Sequence, residues 1–262
     1  MSQTVDRAVG LLRHFTEASP SLGLSEIARL CGFDKATTYR LLSSLKRNGL
    51  LEQEVRSKNY MLGATLLNFA RIREASFPLT SIVQPELQAL SDLTGETAHV
   101  TWLTPAGLAP IAVIESKKAN RVSAGLSVPL PFHATASGYV VLAFSPESLR
   151  GSVLKPPFSR PTAHTPASKS AVLKLVTDAE RAGFAIADQT FEEEVVGVAA
   201  PIFGNAGSAE GAIAVVTPSH RATKTHIRAI ADATVAAAIR LTVRRGNVLP
   251  ETYRRFGDKQ AK

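Results

Sequence analysis

Near the start of the chain, Val5, Ala8, Val9, Leu11, Leu12 and Phe15 recur three or four positions apart, which predicts an amphipathic helix. The Ser-Pro-Ser run at 19–21 ends it. A shorter helix is expected in LSEIARLCG (24–32), with Ser25 as its N-cap, Ile27, Ala28 and Leu30 as its apolar positions and Gly32 as its stop. A third helix is expected over DKATTYRLLSSLKR (34–47), capped by Asp34. At 100° per residue Thr38, Leu41, Leu42 and Leu45 fall in one stripe, predicted to be buried. Two short helices joined by a glycine-containing turn, behind a longer one, form a helix-turn-helix pattern.

The other side of the third helix carries Ala36, Arg40, Ser43 and Arg47, flanked by Tyr39 on one edge and Thr37 and Ser44 on the other. Lys35 opens this helix, and no carboxylate follows Asp34 within it. Small residues let a helix backbone approach the floor of a groove, and hydroxyls and arginines supply contacts to phosphates and base edges. The face suits the DNA major groove. Leu50–Glu54 and Asn59–Leu62 then alternate as a hairpin with VRSK at its tip. After a helix-turn-helix, that tip is read as a wing whose Arg56 and Lys58 track the phosphate backbone; taken alone, it would be read as a solvated turn. Ser25, on the second helix, completes the candidate DNA-contacting set.

Helical composition returns over residues 64–73 and is broken by SFP at 76–78. The next helix, Leu79–Thr94, places Val83, Leu87 and Leu90 on one face, with Pro85 kinking it or starting its second half. Beyond Gly95 the texture turns to strands: ETAHVTWLT (96–104), LAPIAVIES (108–116) and RVSAGL (121–126). A helical TASGYVVLAF (135–144), a proline-rich loop (154–166) and a helix over Ser168–Ala182 follow. Strands are expected again at GFAIAD (183–188), VVGVAAPIF (195–203) and GAIAVVT (211–217), before a long helix over Lys224–Arg245. Strands with helices on one side and a terminal helix packed back predict an α+β sheet domain. Low charge inside the strands predicts a covered sheet.

Composition sharpens this picture in three ways. A chain of 262 residues that is 45% apolar can bury two domain cores. Cys31 is its one cysteine, so no internal disulfide can form, which fits a reducing cytoplasm. No signal-peptide pattern opens the chain and no run of 18 uncharged apolar residues occurs, so neither export nor membrane insertion is expected. The net charge of +8 is unevenly placed. Residues 1–75 carry 11 Lys/Arg against 7 Asp/Glu, residues 240–262 carry 7 against 2, and the middle carries 12 against 13. A basic N-terminal module implies a polyanionic partner there. The C-terminal VRRGNVLPETYRRFGDKQAK reads either as a solubilising tail or as a contact segment.

TVDRAVGLLRHF, LSEIARLCGFDKATTYRLLSSLKRNGLLEQ and NYMLGATLLNFA, in that order, resemble the IclR-type transcriptional regulators. SVPLPFHATASGYVVLAF and GFAIADQTFEEEVVGVAAPIF extend the resemblance to about Arg245. It implies an α+β protein with a winged helix-turn-helix domain (1–63), a linker helix (64–78) and a GAF-like effector-binding domain (79–246), followed by a basic tail (247–262). It further implies dimers or dimers of dimers on palindromic double-stranded operators. Carried over position by position, it assigns Leu130, Ala136, Ser137, Asp188, Gly197, Ala214 and Val216 to the effector pocket. Relatives that bind small keto acids have hydroxyls or a thiol where this chain has Gly197, Ala214 and Val216, and glutamates where it has Gln189 and Thr190. Fewer polar groups favour a larger, partly apolar ligand, aromatic or carboxylic, over a small hydrated anion.

Trp102 would either stack on such a ligand or fill the core, and His133 would either touch it or hold structure. Neither His133 nor His99 has a partner at zinc-ligand spacing, so no metal and no cofactor is expected. Glu192, Glu193 and Glu194 read as a solvated turn. The alternative function is an enzyme acting on a small carboxylic compound. Against it, the chain has no G-x-S-x-G elbow and no phosphate-binding loop, and Ser137 has no base visible in sequence.

Overall fold

The computed structural model describes residues 3–16, 18–76, 78–105, 107–125 and 129–257. The chain separates into two units, Met1–Pro78 and Leu79–Lys262. In the first, the order is α1 (Gln3–Leu12), β1 (Ser21–Leu22), α2 (Leu24–Cys31), α3 (Lys35–Arg47), β2 (Leu51–Gln53), β3 (Tyr60–Leu62) and α4 (Thr65–Ser76). The stripe expected on α3 is buried: Thr38, Leu41, Leu42 and Leu45 close over a core with Leu11, Phe15, Ile27, Leu51 and Tyr60. Asp34 caps α3, its Oδ1 accepting the Thr37 N–H at 2.8 Å. That bond holds the Asp34 carboxyl below its ordinary range.

Two local expectations change. Ser25 is not an N-cap: Gly23 occupies that position, its carbonyl accepts the Ile27 N–H at 3.0 Å, and Ser25 lies inside the first turn. The expected β2–β3 hairpin is present, pairing Glu52 with Met61, and β1 joins it to give the order β1-β3-β2. Gln53 ties the wing to the helix before it. Its Oε1 accepts from Lys46 Nζ at 3.1 Å, and its Nε2 donates to Lys58 O at 2.9 Å.

The second unit runs α5 (Leu79–Thr94), β4 (Thr97–Thr104), β5 (Gly107–Ile114), α6 (Ala136–Ala143), α7 (Glu147–Val153), α8 (Lys169–Ala182), β6 (Ala185–Asp188), β7 (Val195–Phe203), β8 (Ala209–Pro218), α9 (Lys224–Arg244) and α10 (Glu251–Gly257). The five strands form one antiparallel sheet, β5-β4-β8-β7-β6. Helices cover both faces rather than the one expected from sequence, because the strands alternate between two apolar surfaces. Ala98, Val100, Val198, Ile202, Ile213 and Val215 pack with residues of α5 and α9. Ala187, Ala199, Ala212 and Ala214 pack with residues of α6 and α8. Bulky side chains thus fill one side, while small ones leave room on the other.

Residues 121–125, expected as a strand, form none; Leu126 lies outside the described residues. Side chains hold this segment instead, with Thr97 Oγ1 donating to Val122 O at 2.6 Å. The segment expected as a basic tail from 247 is a packed part of the unit as far as Gly257; residues 258–262 lie outside the described residues. Tyr253 is buried against Phe144 and Phe203, with ring centroids 5.1 and 4.9 Å away, and donates its hydroxyl to Gly183 O at 2.7 Å. No helix among the described residues is long and apolar enough to cross a membrane.

Replacing Tyr253 with Ala removes a fully buried ring and is expected to destabilise the second unit by ~3–5 kcal/mol. Urea unfolding of wild type and variant measures this, whereas a solvated tail would give a change within about 0.5 kcal/mol.

Candidate functional site

On α3, Lys35, Ala36, Tyr39, Arg40 and Arg47 are exposed, and Thr37 and Ser43 are half-buried on the same outer side. Arg40 Nη2 donates to Thr37 Oγ1 at 3.3 Å, which draws the guanidinium along the helix surface. Ser25 is exposed on α2, and Arg56 and Lys58 are exposed at the wing tip. The described part of the unit therefore presents cations and hydroxyls on the recognition-type helix and on the hairpin beside it.

The second unit contains a cavity of about 260 Å³ on the small-residue side of the sheet. Its floor is Gly197, Ala214, Val216 and Ala187, and its roof is the start of α6 at Thr135, Ala136 and Ser137. His99, Val113 and Pro110 close one side, residues 122–125 and Leu130 another, and Phe191 and Glu192 stand at a third. A wider groove of about 770 Å³ along α9, past Leu93 and Phe184, is the larger in volume. The smaller cavity is the better candidate, because it is lined almost wholly by apolar atoms and two of its lining residues, Ser137 and His99, carry a buried polar atom without a partner among the described residues.

Those groups are few. Thr135 caps α6, its Oγ1 accepting the Gly138 N–H at 3.0 Å. Gly138 is needed there: a Cβ would fall 2.3 Å from the Phe132 carbonyl oxygen, so only glycine lets the approaching loop lie against the helix. The first-turn N–H groups of Ala136 and Ser137 have no place in the helical ladder and sit at its positive end. Ser137 is buried, and its Oγ has no hydrogen-bond partner among the described residues. The same holds for Nδ1 of buried His99, and burial pushes the imidazole down to about 4. No group of three or more His, Cys, Asp or Glu able to hold a metal occurs among the described residues.

Of the expected pocket positions, Leu130, Ala136, Ser137, Gly197, Ala214 and Val216 line this cavity. Trp102 does not: it packs with the opposite core, and the Arg245 guanidinium lies 4.3 Å from its ring centroid. His133 also lies outside, stacked on Phe158 at 4.8 Å with Nε2 2.8 Å from Ser159 O. Asp188 is exposed, and its Oδ1 accepts from Gln189 Nε2 at 3.3 Å. Thr190, where the resemblance implied a glutamate, is buried, and its hydroxyl donates to Ala134 O at 2.6 Å, fastening the turn to the approach of α6. His99 is the polar residue that the sequence did not single out for the site. The signal was parity, since β4 pairs His99 with Ala214.

One buried charge holds the rim. Glu96 is fully buried, and its oxygens receive Arg221 at 2.8 and 2.7 Å and Lys118 at 3.0 Å. Burial alone would raise its carboxyl, but these bonds outweigh it and hold the group below its usual value. Arg221 also donates to Asn120 O at 2.9 Å, pinning the strap that leads into residues 122–125.

Comparison with known proteins gives concordant results. Residues 75–243 match the family model of the bacterial transcriptional regulator IclR C-terminal domain, and residues 4–55 match the IclR helix-turn-helix domain. The glycerol operon regulatory protein of Streptomyces griseus is 30% identical over 220 residues, covering 84% of this chain and 86% of that one. The HTH-type transcriptional regulator XynR of Escherichia coli K12 is 28% identical over 220 residues, covering 84% and 87%. A crystal structure assigned to the IclR regulators, from Silicibacter sp. TM1040, superposes with a TM-score of 0.87 at 38% identity, over 95% of this chain and 99% of that one. An IclR homolog of Microbacterium hydrocarbonoxydans, complexed with 4-hydroxybenzoate, shares the fold with a TM-score of 0.75 at 23% identity, over 92% and 99%.

The buried His99 makes stability depend on pH. Its folded value of about 4 lies below the ordinary value of 6.5, so the unfolded chain binds the proton first as pH falls. The contribution is complete above pH ~6.5 and is lost down to pH ~4, by roughly 3 kcal/mol at most. Urea midpoints of wild type should fall over that window more steeply than those of His99→Gln; parallel profiles would contradict the assignment.

Proposed function

This chain belongs to the IclR family of bacterial transcriptional regulators, and from that premise we propose that it is a homo-oligomeric regulator of a palindromic operator, gated by a single-ring or similarly sized carboxylic effector. The observation that carries the effector half is that Ser137, whose Oγ is buried and unpartnered among the described residues, lines a mostly apolar cavity together with the rest of the start of α6. A carboxylate at the first turn of α6 would meet free N–H groups and the positive end of the helix dipole. The rest of the molecule would lie against Gly197, Ala214 and Val216. A cavity of about 150 Å³ accommodates benzene, so about 260 Å³ suits one ring with small substituents. The 4-hydroxybenzoate held by the Microbacterium homolog supports a ligand of this size.

The outer side of α3 supports operator reading by Ala36, Thr37, Tyr39, Arg40, Ser43 and Arg47. Lys35, Ser25, Arg56 and Lys58 would serve the phosphates. Association with a second copy is supported by α4, which has no buried residue and exposes Leu67, Phe69 and Ile72. Two such units in a dimer would address half-sites about one helical turn, ~34 Å, apart. The effector regulates only if it binds the DNA-competent and DNA-incompetent arrangements with different affinity. Turnover is disfavoured: an activated serine needs a base within hydrogen-bond reach, and Ser137 Oγ has no partner among the described residues.

Footprinting on DNA flanking the protein's own gene, with and without a panel of aromatic and aliphatic acids, tests the whole reading. A near-palindromic protected site that changes with an acid is expected; no protection under any condition refutes it. Arg40→Ala should weaken operator binding by ~1–3 kcal/mol while leaving random-sequence binding nearly unchanged if it reads a base, whereas equal losses on both would make it a phosphate contact. At Gly197 a Cβ meets its neighbours at ordinary contact, 3.7 Å and beyond, so the longer side chain of Gly197→Leu must enter the cavity. That variant is expected to keep the footprint and lose the acid response.

A further inference from the structure

We propose that His99 determines effector specificity by hydrogen-bonding a hydroxyl group carried on the apolar body of the effector, at a point apart from its carboxylate. This rests on the reading of the cavity as an effector site and adds the chemistry of the ligand's second polar group. The starting observation is the mismatch between His99 and its surroundings. The side chain forms part of the cavity wall, is 7% exposed, and leaves Nδ1 with no hydrogen-bond partner among the described residues. Directly across the strands on either side of it stand Val113 and Ala214. Neither of these side chains can hydrogen-bond. A buried polar atom without a partner is costly, and native structures rarely keep one without a role.

The kind of partner follows from the state of the ring. His99 is kept neutral by burial, so it offers one N–H donor and one nitrogen acceptor, and no protein bond to Nδ1 fixes which nitrogen is which. A neutral imidazole gives a carboxylate no charge to pair with; the α6 turn beside Ser137 is the better seat for an anion. A hydroxyl both donates and accepts, so it matches His99 in either tautomer. The arrangement on the sheet agrees. His99 stands on β4 opposite Ala214, whereas Ala136 stands over Gly197 on β7, with β8 between them. Strands lie about 4.8 Å apart, so the histidine and the helix start sit at different ends of a ligand that spans the floor. A purely hydrocarbon ring would leave Nδ1 as unsatisfied as it is in the free protein. A hydroxylated ring would satisfy it once the imidazole turns about its Cβ–Cγ bond to bring the nitrogen onto the cavity side, a turn that no hydrogen bond to Nδ1 opposes.

Calorimetric titration of the full-length protein with benzoate and its three monohydroxy isomers tests the assignment. At least one isomer should bind about ten-fold more tightly than benzoate, the ratio expected when one buried polar group gains a partner. In His99→Phe that ratio should collapse to within about two-fold while benzoate binding persists. A folded variant that keeps the wild-type ratio overturns the proposal. So does a wild-type protein that binds benzoate and all three isomers alike, an outcome that leaves the effector-site reading standing. If none of the four acids binds, the aromatic-acid reading of the cavity falls and this inference falls with it. Imidazole ¹⁵N shifts of His99 in the wild-type protein give an answer that does not depend on the variant's folding. They should move on binding the preferred hydroxybenzoate and stay put with benzoate; equal shifts with both would also overturn the proposal.

Discussion

The small residues on one face of the five-stranded sheet are the constraint from which the second unit's site follows. Gly197, Ala199, Ala212 and Ala214 present almost no side chain to α6, so the helix can lie close to the strands along most of its length. Every residue of α6 is buried, and its glycine lets the preceding loop lie directly on its first turn. Close packing along the helix and small residues beyond its first turn together produce a lined cavity at that end. The opposite face shows the contrast. There Val198, Ile202, Ile213 and Val215 fill the space beneath α5 and α9 with bulk. A strand that alternates large and small side chains thus builds a filled core on one side and leaves an open volume on the other.

The first unit solves a different problem with equally few residues. An eight-residue helix and a thirteen-residue one must be held at a fixed angle by a core too small to tolerate slack. Gly32, at φ 67°, ends one, and the Asp34 carboxylate starts the other two residues later. The same aspartate is the last acidic group before the wing strand, so α3 remains free of negative charge along its exposed side. Capping and surface chemistry are served by one residue choice.

Legibility followed the length and regularity of the pattern. The α3 stripe was readable because four positions repeat at helical spacing with no competing signal, and β4, β7 and β8 were readable as apolar runs bounded by glycine or charge. Where tertiary contacts decide, the sequence offered little. A two-residue strand such as β1 has no period, and the seven-residue α7 is too short for one. The strap at 121–125 has strand-like residues, but a threonine side chain holds its Val122 carbonyl and an arginine holds that of Asn120 just before it, in place of a neighbouring strand. In α10 the buried Tyr253 and Phe256 are outnumbered by polar neighbours, so their burial is invisible in composition. The pocket positions Gly197, Ala214 and Val216 came from the resemblance and not from any pattern in the strands; in the structure β7 pairs Gly197 with Val216 and Ala199 with Ala214. Of the two readings of Trp102 the core is the one found: it lies three residues from His99 on the same strand, and an odd separation sends the two side chains to opposite faces.

The ion cluster at Glu96 sets the strap apart from the exposed cations of α3 and the wing in its response to ionic strength. Screening acts on charges that water and counterions can reach, and much less on a buried carboxylate held by two cations at hydrogen-bond distance. Contacts between exposed Lys or Arg and phosphates weaken steeply as salt rises, because binding releases condensed counterions and that release loses its advantage. A change in the salt around this protein would therefore loosen its hold on DNA while leaving the rim of the cavity in place. Occupancy of DNA would follow the medium, and the geometry of the cavity would not.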